Sequence, residues 1–144
     1  MDMRQVTGIA LGRRSITSML EQARSRFVRL PAVEAYRAVE SGATFIDVRT
    51  SDQIRADGHL PYALEISLNV LEWRLDPASN SRLQKAPRLA SQVVVICNQG
   101  YCSSLAASRL QELGFAGATD VIGGFQAWRE QGLPLAVETP QRSA

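Results

Sequence analysis

Two cysteines, a single histidine and no apolar run long enough to cross a bilayer set the first limits on this chain. The cysteines stand five positions apart, which is no disulfide framework and suits a reducing compartment. Residues 1–10 lack both the basic start and the continuous apolar core of a secretory signal, so the expected location is cytoplasmic. A chain of 144 residues has no room for a second domain beside one well-filled core, and no internal repeat divides it. Its 45% hydrophobic and 21% charged residues are those of a soluble globular protein, with no membrane partner expected. A net charge of +2 hides an uneven distribution: residues 1–30 hold six arginines against two acids, and the remainder is net acidic. A long basic run and aromatic interleaving are both missing, so no nucleic-acid partner is expected. The arginines read as the solvated face of an accessory helix, with contact to an acidic partner as the alternative.

What is present is organised around residues 93–107. Val93, Val94, Val95 and Ile96 read as a strand buried on both faces, and the spacing of Leu105, Ala106, Leu110 and Leu113 reads as a helix. The loop between them opens with Cys97. That junction lies at the carboxyl end of a central strand and faces a helix amino terminus, where open α/β sheets place their ligands. The N–H groups of the loop and of the first helical turn have no intrahelical partner. They favour the Cys97 thiolate, which is the nucleophilic form. Cys97 is therefore the candidate catalytic residue, and Asn98, Gln99, Gly100, Tyr101, Cys102 and Ser103 are the candidate binding loop. The plainer alternative is a buried thiol packing as a small hydrophobe.

This loop resembles the active-site loop of single-domain rhodaneses, and three further stretches match that family in order. Phe45-Ile46-Asp47-Val48-Arg49 is similar to its first long strand, ending in Asp-x-Arg; Gly58-His59-Leu60-Pro61-Tyr62-Ala63 resembles its Gly-His-Ile-Pro-Gly-Ala turn; and Gly123-Gly124-Phe125-Gln126-Ala127-Trp128 resembles its Gly-Gly-x-x-x-Trp close. The resemblance implies a three-layer α/β domain with a mostly parallel central sheet of about five strands and helices on both faces. It also implies a sulfurtransferase that carries sulfane sulfur from thiosulfate or a related small anion to a thiol or cyanide acceptor, through a Cys97 persulfide. No metal or organic cofactor is required, and a protein can be the sulfur acceptor. Tyr62 departs from the pattern, standing where the family usually has glycine, and the segment between Arg49 and Gly58 is about one residue longer than usual. Cysteine phosphatases of related fold carry an arginine six positions after the nucleophile to clamp phosphoryl oxygens; here that position is Ser103. Two other readings stay open: a non-catalytic interaction module on the same fold, and a thiol redox sensor in which Cys102 resolves an oxidised Cys97. Against the sensor, Cys102 fills the base of the loop.

In chain order, residues 1–14 have no clear periodicity and read as a flexible start. Residues 15–29 form an accessory helix with Ile16, Met19, Leu20, Ala23 and Phe27 at helical spacing, capped by Ser15 or by the Ser18–Glu21 pair. Its stripe packs on the domain or serves a partner, including a second copy of the chain. Residues 30–134 form the rhodanese-like domain and 135–144 a loose tail. A short strand is expected at 28–30, a helix from Pro31 to about Val39, strands at 45–48, 63–67 and 118–122, and a helix over 69–75 whose Val70, Leu71 and Trp73 belong to core and lid. Ser103 or Ser104 caps the helix after the loop. Arg49 either attracts an anionic substrate or staples the turns by pairing with Asp52 or Glu65. Asp47 bonds amides of the following turn. His59 serves either as a base for Cys97 or as support for its own turn.

Overall fold

The computed structural model describes residues 12–136. The flexible start and loose tail expected from the sequence fall largely on residues 1–11 and 137–144, outside the described residues. Helix α1 (Ile16–Arg24) is capped by Ser15, whose hydroxyl accepts from the Ser18 N–H at 3.0 Å. Pro31 precedes α2 (Ala32–Glu40). Then follow β1 (Thr44–Asp47), α3 (Ser51–Asp57), β2 (Ala63–Glu65), a 3₁₀ turn (Leu68–Val70) and α4 (Leu71–Leu75). The chain closes with β3 (Gln92–Ile96), α5 (Cys102–Glu112), β4 (Gly117–Asp120) and α6 (Gly124–Glu130).

The strands pair in the order β2-β1-β3-β4, all parallel. The count is four rather than about five, because the expected strand at 28–30 contributes a single bridge, Leu30 to Val121. A parallel sheet must be covered on both faces. Alternation along the strands sends Ile46, Val48, Val93, Val95 and Cys97 to one side, with Leu71, Leu75 and Leu110. Phe45, Val94 and Ile96 point to the other side, where they meet Ala35, Phe125 and Trp128. The α/β fold with helices on both faces is therefore the one expected. Cys97 continues the alternation of β3 one step beyond its last paired residue, which aims its side chain at α5.

Two local readings change. Ser103 and Ser104 do not cap α5: both lie inside the helix and are fully buried, and the residue before it, Tyr101, makes no side-chain cap. Their hydroxyls are drawn instead to a buried carboxylate on β4, described below. Leu71 enters the core, whereas Val70 and Trp73 are exposed, since the one turn of α4 has only one inward face. Tyr62, where the family usually has glycine, takes the left-handed conformation at φ 65°, a region that glycine enters at no steric cost.

Candidate active site

Cys97 lies at the floor of a cleft of about 890 Å³ whose walls include Arg49, His59, Glu65, Asn98, Tyr101 and Cys102. The loop curls over the sulfur because Gly100 adopts φ 85°, a conformation open to glycine, and its N–H donates to the Cys97 sulfur at 3.1 Å. A Cβ on Gly100 would stand 2.8 Å from the Gly123 nitrogen. From below, α6 holds the loop backbone: the Phe125 N–H donates to the Cys97 carbonyl at 2.8 Å and the Gln126 N–H to the Asn98 carbonyl at 3.1 Å. Asn98 is further fixed by its side-chain carbonyl, which accepts from the Gln126 amide at 3.0 Å.

Cys97 is a buried residue, and burial alone would keep its thiol protonated. Hydrogen bonds overcome this. The Cys102 thiol is the largest influence; with the Ser103 hydroxyl and the Ser103 and Gly100 N–H groups it lowers the Cys97 thiol to about 5 against the desolvation. The same bond, and then burial, push the Cys102 thiol up. Cys97 is thus the more acidic thiol of the two.

Beneath Ser103 is the buried carboxylate of Asp120, at the end of β4. The Ser103 hydroxyl stands 3.2 Å from the Cys97 sulfur and 2.7 Å from Asp120 Oδ2, and the Ser104 hydroxyl donates to the same oxygen at 2.8 Å. Arg29 closes on Asp120 with Nε to Oδ1 at 2.8 Å and Nη2 to Oδ2 at 3.1 Å. Arg29 Nη2 and Arg24 Nη2 both donate to the Gly100 carbonyl, each at 2.8 Å, and Arg24 Nε reaches the Ser104 hydroxyl at 2.9 Å. Arginines expected on the solvated face of the accessory helix therefore turn inward onto the loop.

The loop residues 97–103 are brought together as the sequence suggests. Arg49 lies elsewhere in the wall: its guanidinium forks onto Asp47, with Nη2 to Oδ2 at 2.8 Å, donates to the Gly58 carbonyl at 2.9 Å and stacks 4.1 Å from the Phe125 ring. Its partner is neither Asp52 nor Glu65. Asp47 also accepts from the Arg49 N–H at 3.0 Å, the turn bond expected of it. His59 pairs through Nδ1 with Glu65 at 2.5 Å. Asp120, Arg24, Arg29 and Ser104 were not among the candidates. Their only signal was an acidic residue inside an apolar strand and an excess of arginine before it, and no spacing rule joins positions more than seventy residues apart.

The structure is a parallel α/β domain with a cysteine at the carboxyl end of a central strand, inside a loop of converging donors. The rhodanese-like domain family model matches residues 31–131, and the chain belongs to that family. It is 32% identical over 105 residues to the thiosulfate sulfurtransferase GlpE of Pseudomonas fluorescens, covering 73% of this chain and 87% of that protein. A solved protein of unknown function from Rhodopseudomonas palustris, described as a possible tyrosine phosphatase, shares 30% identity at a TM-score of 0.76, covering 85% of this chain and 95% of that one. The polysulfide-sulfur transferase homodimer of Wolinella succinogenes shares 27% identity at a TM-score of 0.66, covering 86% and 88%. Other curated relatives are longer: the chain spans 59% of a chloroplastic rhodanese-like protein of Arabidopsis thaliana and 17% of a maize adenylyltransferase and sulfurtransferase. Among the described residues no helix is long and apolar enough to cross a membrane.

Proposed function

We propose that this protein is a sulfurtransferase that carries sulfane sulfur on Cys97. The observation that carries the reading is the Cys97 sulfur, held by the Gly100 N–H at 3.1 Å and lowered to about 5 at the floor of an open cleft. The thiolate attacks the outer sulfur of thiosulfate or a related sulfane donor. The bond between the two donor sulfurs breaks, its electron pair leaves with sulfite, and a Cys97 persulfide remains. Loop amides of residues 98–103 then face the terminal sulfur and stabilise its negative charge, as donors do for a developing oxyanion. A thiophilic acceptor, such as cyanide or a thiol, takes the terminal sulfur and returns the Cys97 thiolate. Arg49, committed to Asp47, serves this reaction as cleft wall and local positive charge.

The phosphoryl-transfer reading has less support. Its bidentate guanidinium would occupy position 103, where a serine hydroxyl bonds Asp120 instead. Cys102 supports a second reading, reversible oxidation, because it lines the same cleft as Cys97 and both thiols are free. A peroxide would convert the two thiols to one disulfide and two waters, observed as loss of two hydrogens in the intact mass. A homodimer through α1 would have to use its outer residues Ile16 and Met19, since Ala23 is buried on the domain.

The test is intact mass after incubation with thiosulfate followed by cyanide. The expected result is gain of one sulfur, absent in Cys97→Ala, and its release as thiocyanate. An unmodified wild-type chain would return the protein to the class of interaction modules.

A further inference from the structure

Two arginines outside the family match grip the loop that carries the sulfur. Arg24 lies at the end of α1 and Arg29 in the segment after it, both before residue 31, where the match begins. Their guanidiniums converge on one atom, the Gly100 carbonyl oxygen, each at 2.8 Å. A trans peptide points its C=O and N–H in opposite directions, so a carbonyl held by the arginines turns the Tyr101 N–H away from them. Two cationic donors on that oxygen also polarise the peptide and strengthen its N–H as a donor.

The second arm runs through Asp120. The Ser103 hydroxyl has one hydrogen and two takers, the Cys97 sulfur at 3.2 Å and Asp120 Oδ2 at 2.7 Å. An unpaired carboxylate in a buried site would hold that hydrogen. The Arg29 fork draws off its charge, and Ser104, itself accepting from Arg24 Nε, supplies the same oxygen with another hydrogen. The Ser103 hydroxyl is thereby free to turn to an ionised sulfur.

We propose that Arg24 and Arg29 are positioning residues for the sulfur-carrying loop, acting through the Gly100 carbonyl and through Asp120 and Ser103 rather than on substrate. Their purpose rests on the sulfur-transfer reading; their effect on Cys97 does not. The third arginine of this segment provides the control. Arg26 bonds the Ser108 hydroxyl at 2.6 Å and lies 3.7 Å from Glu112, so it docks the segment on α5 without touching the loop.

The experiment is alkylation of Cys97 by iodoacetamide across pH in the full chain, with label quantified at Cys97 by peptide mass. Arg24→Met, which strands no buried charge, should raise the reactivity midpoint by about one pH unit, the loss of one charged hydrogen bond. Arg29→Lys should move it in the same direction by less, Arg24→Lys should restore most of the loss, and Arg26→Met should leave it in place. Unchanged midpoints in Arg24→Met and Arg29→Lys, or an equal shift in Arg26→Met, would overturn the proposal. A wild type that never takes sulfur while these midpoints move as expected would sink the transferase reading and leave the positioning role standing.

Discussion

Arg29 closes on Asp120 through both carboxylate oxygens, from a side chain 17% exposed to one fully buried. The pair lets a carboxylate sit at the end of a buried parallel strand, because removal from water is tolerable only with the charge matched and the lone pairs filled. Asp120→Asn should therefore lower the unfolding free energy by about 3 kcal/mol, the bottom of the range for breaking a buried pair because Arg29 retains some solvent. Arg29→Met combined with Asp120→Asn should recover part of that loss. Urea unfolding of the two variants beside the wild type checks both statements, and equal destabilisation of the single and double variants would show that the charge pairing is not the cause.

The titration of Cys97 fixes a pH dependence. Its thiol is lowered, so the reactive thiolate is present above the midpoint near 5 and is lost as pH falls through it. The Cys102 thiol is the first cause of that lowering. Cys102→Ala should move the alkylation midpoint of Cys97 upward, while Cys102→Ser, which keeps an O–H donor, should leave it close to wild type. Cys102 itself should stay unlabelled at neutral pH, since its own thiol is raised.

The sheet, the loop and Cys97 were legible because each rests on local pattern: four β-branched residues in a row, a loop with one glycine, and apolar spacing beyond it. Tyr62 shows the reverse case, since the backbone there follows its turn and not its own preference. The supports of the site were not legible. Ser103 and Ser104 have the composition of a helix cap, yet a buried carboxylate some sixteen residues on is the stronger acceptor. The arginines of the leading segment look like a solvated face until the partner they reach is known, and that partner is a backbone carbonyl, which no sequence marks.

Arg49 and Asp47 form the second buried pair, and both side chains are fully buried. If Arg49 is cleft wall, Arg49→Met should cost about 3 kcal/mol in urea unfolding, because it strands the Asp47 charge. The surviving folded fraction should still take sulfur from thiosulfate to the same final extent. A variant of near-normal stability that takes up sulfur only at much higher thiosulfate would assign Arg49 to the substrate instead.

Gly124 tests how firmly the loop is held from below. A Cβ there would lie 2.5 Å from the Cys97 carbonyl oxygen and 2.8 Å from the Asn98 carbonyl carbon and the Gly100 nitrogen. All three are backbone atoms of the loop, so no flexible side-chain tip can give way, and the loop must lift from α6. The bonds from the Phe125 and Gln126 N–H groups would lengthen, and the Gly100 N–H would lose its aim at the sulfur. Gly42 separates this from the cost of the left-handed backbone: it has φ 111° against 58° at Gly124, and nothing within 4 Å of its would-be Cβ. Gly42→Ala should lower stability by about 1 kcal/mol and leave sulfur uptake unchanged. Gly124→Ala should lose more stability and also slow sulfur uptake at least about tenfold, the effect of losing one charged hydrogen bond to the sulfur. Equal uptake rates in the two variants, measured by intact mass over time in thiosulfate, would mean that the loop keeps its shape without the Gly124 contact.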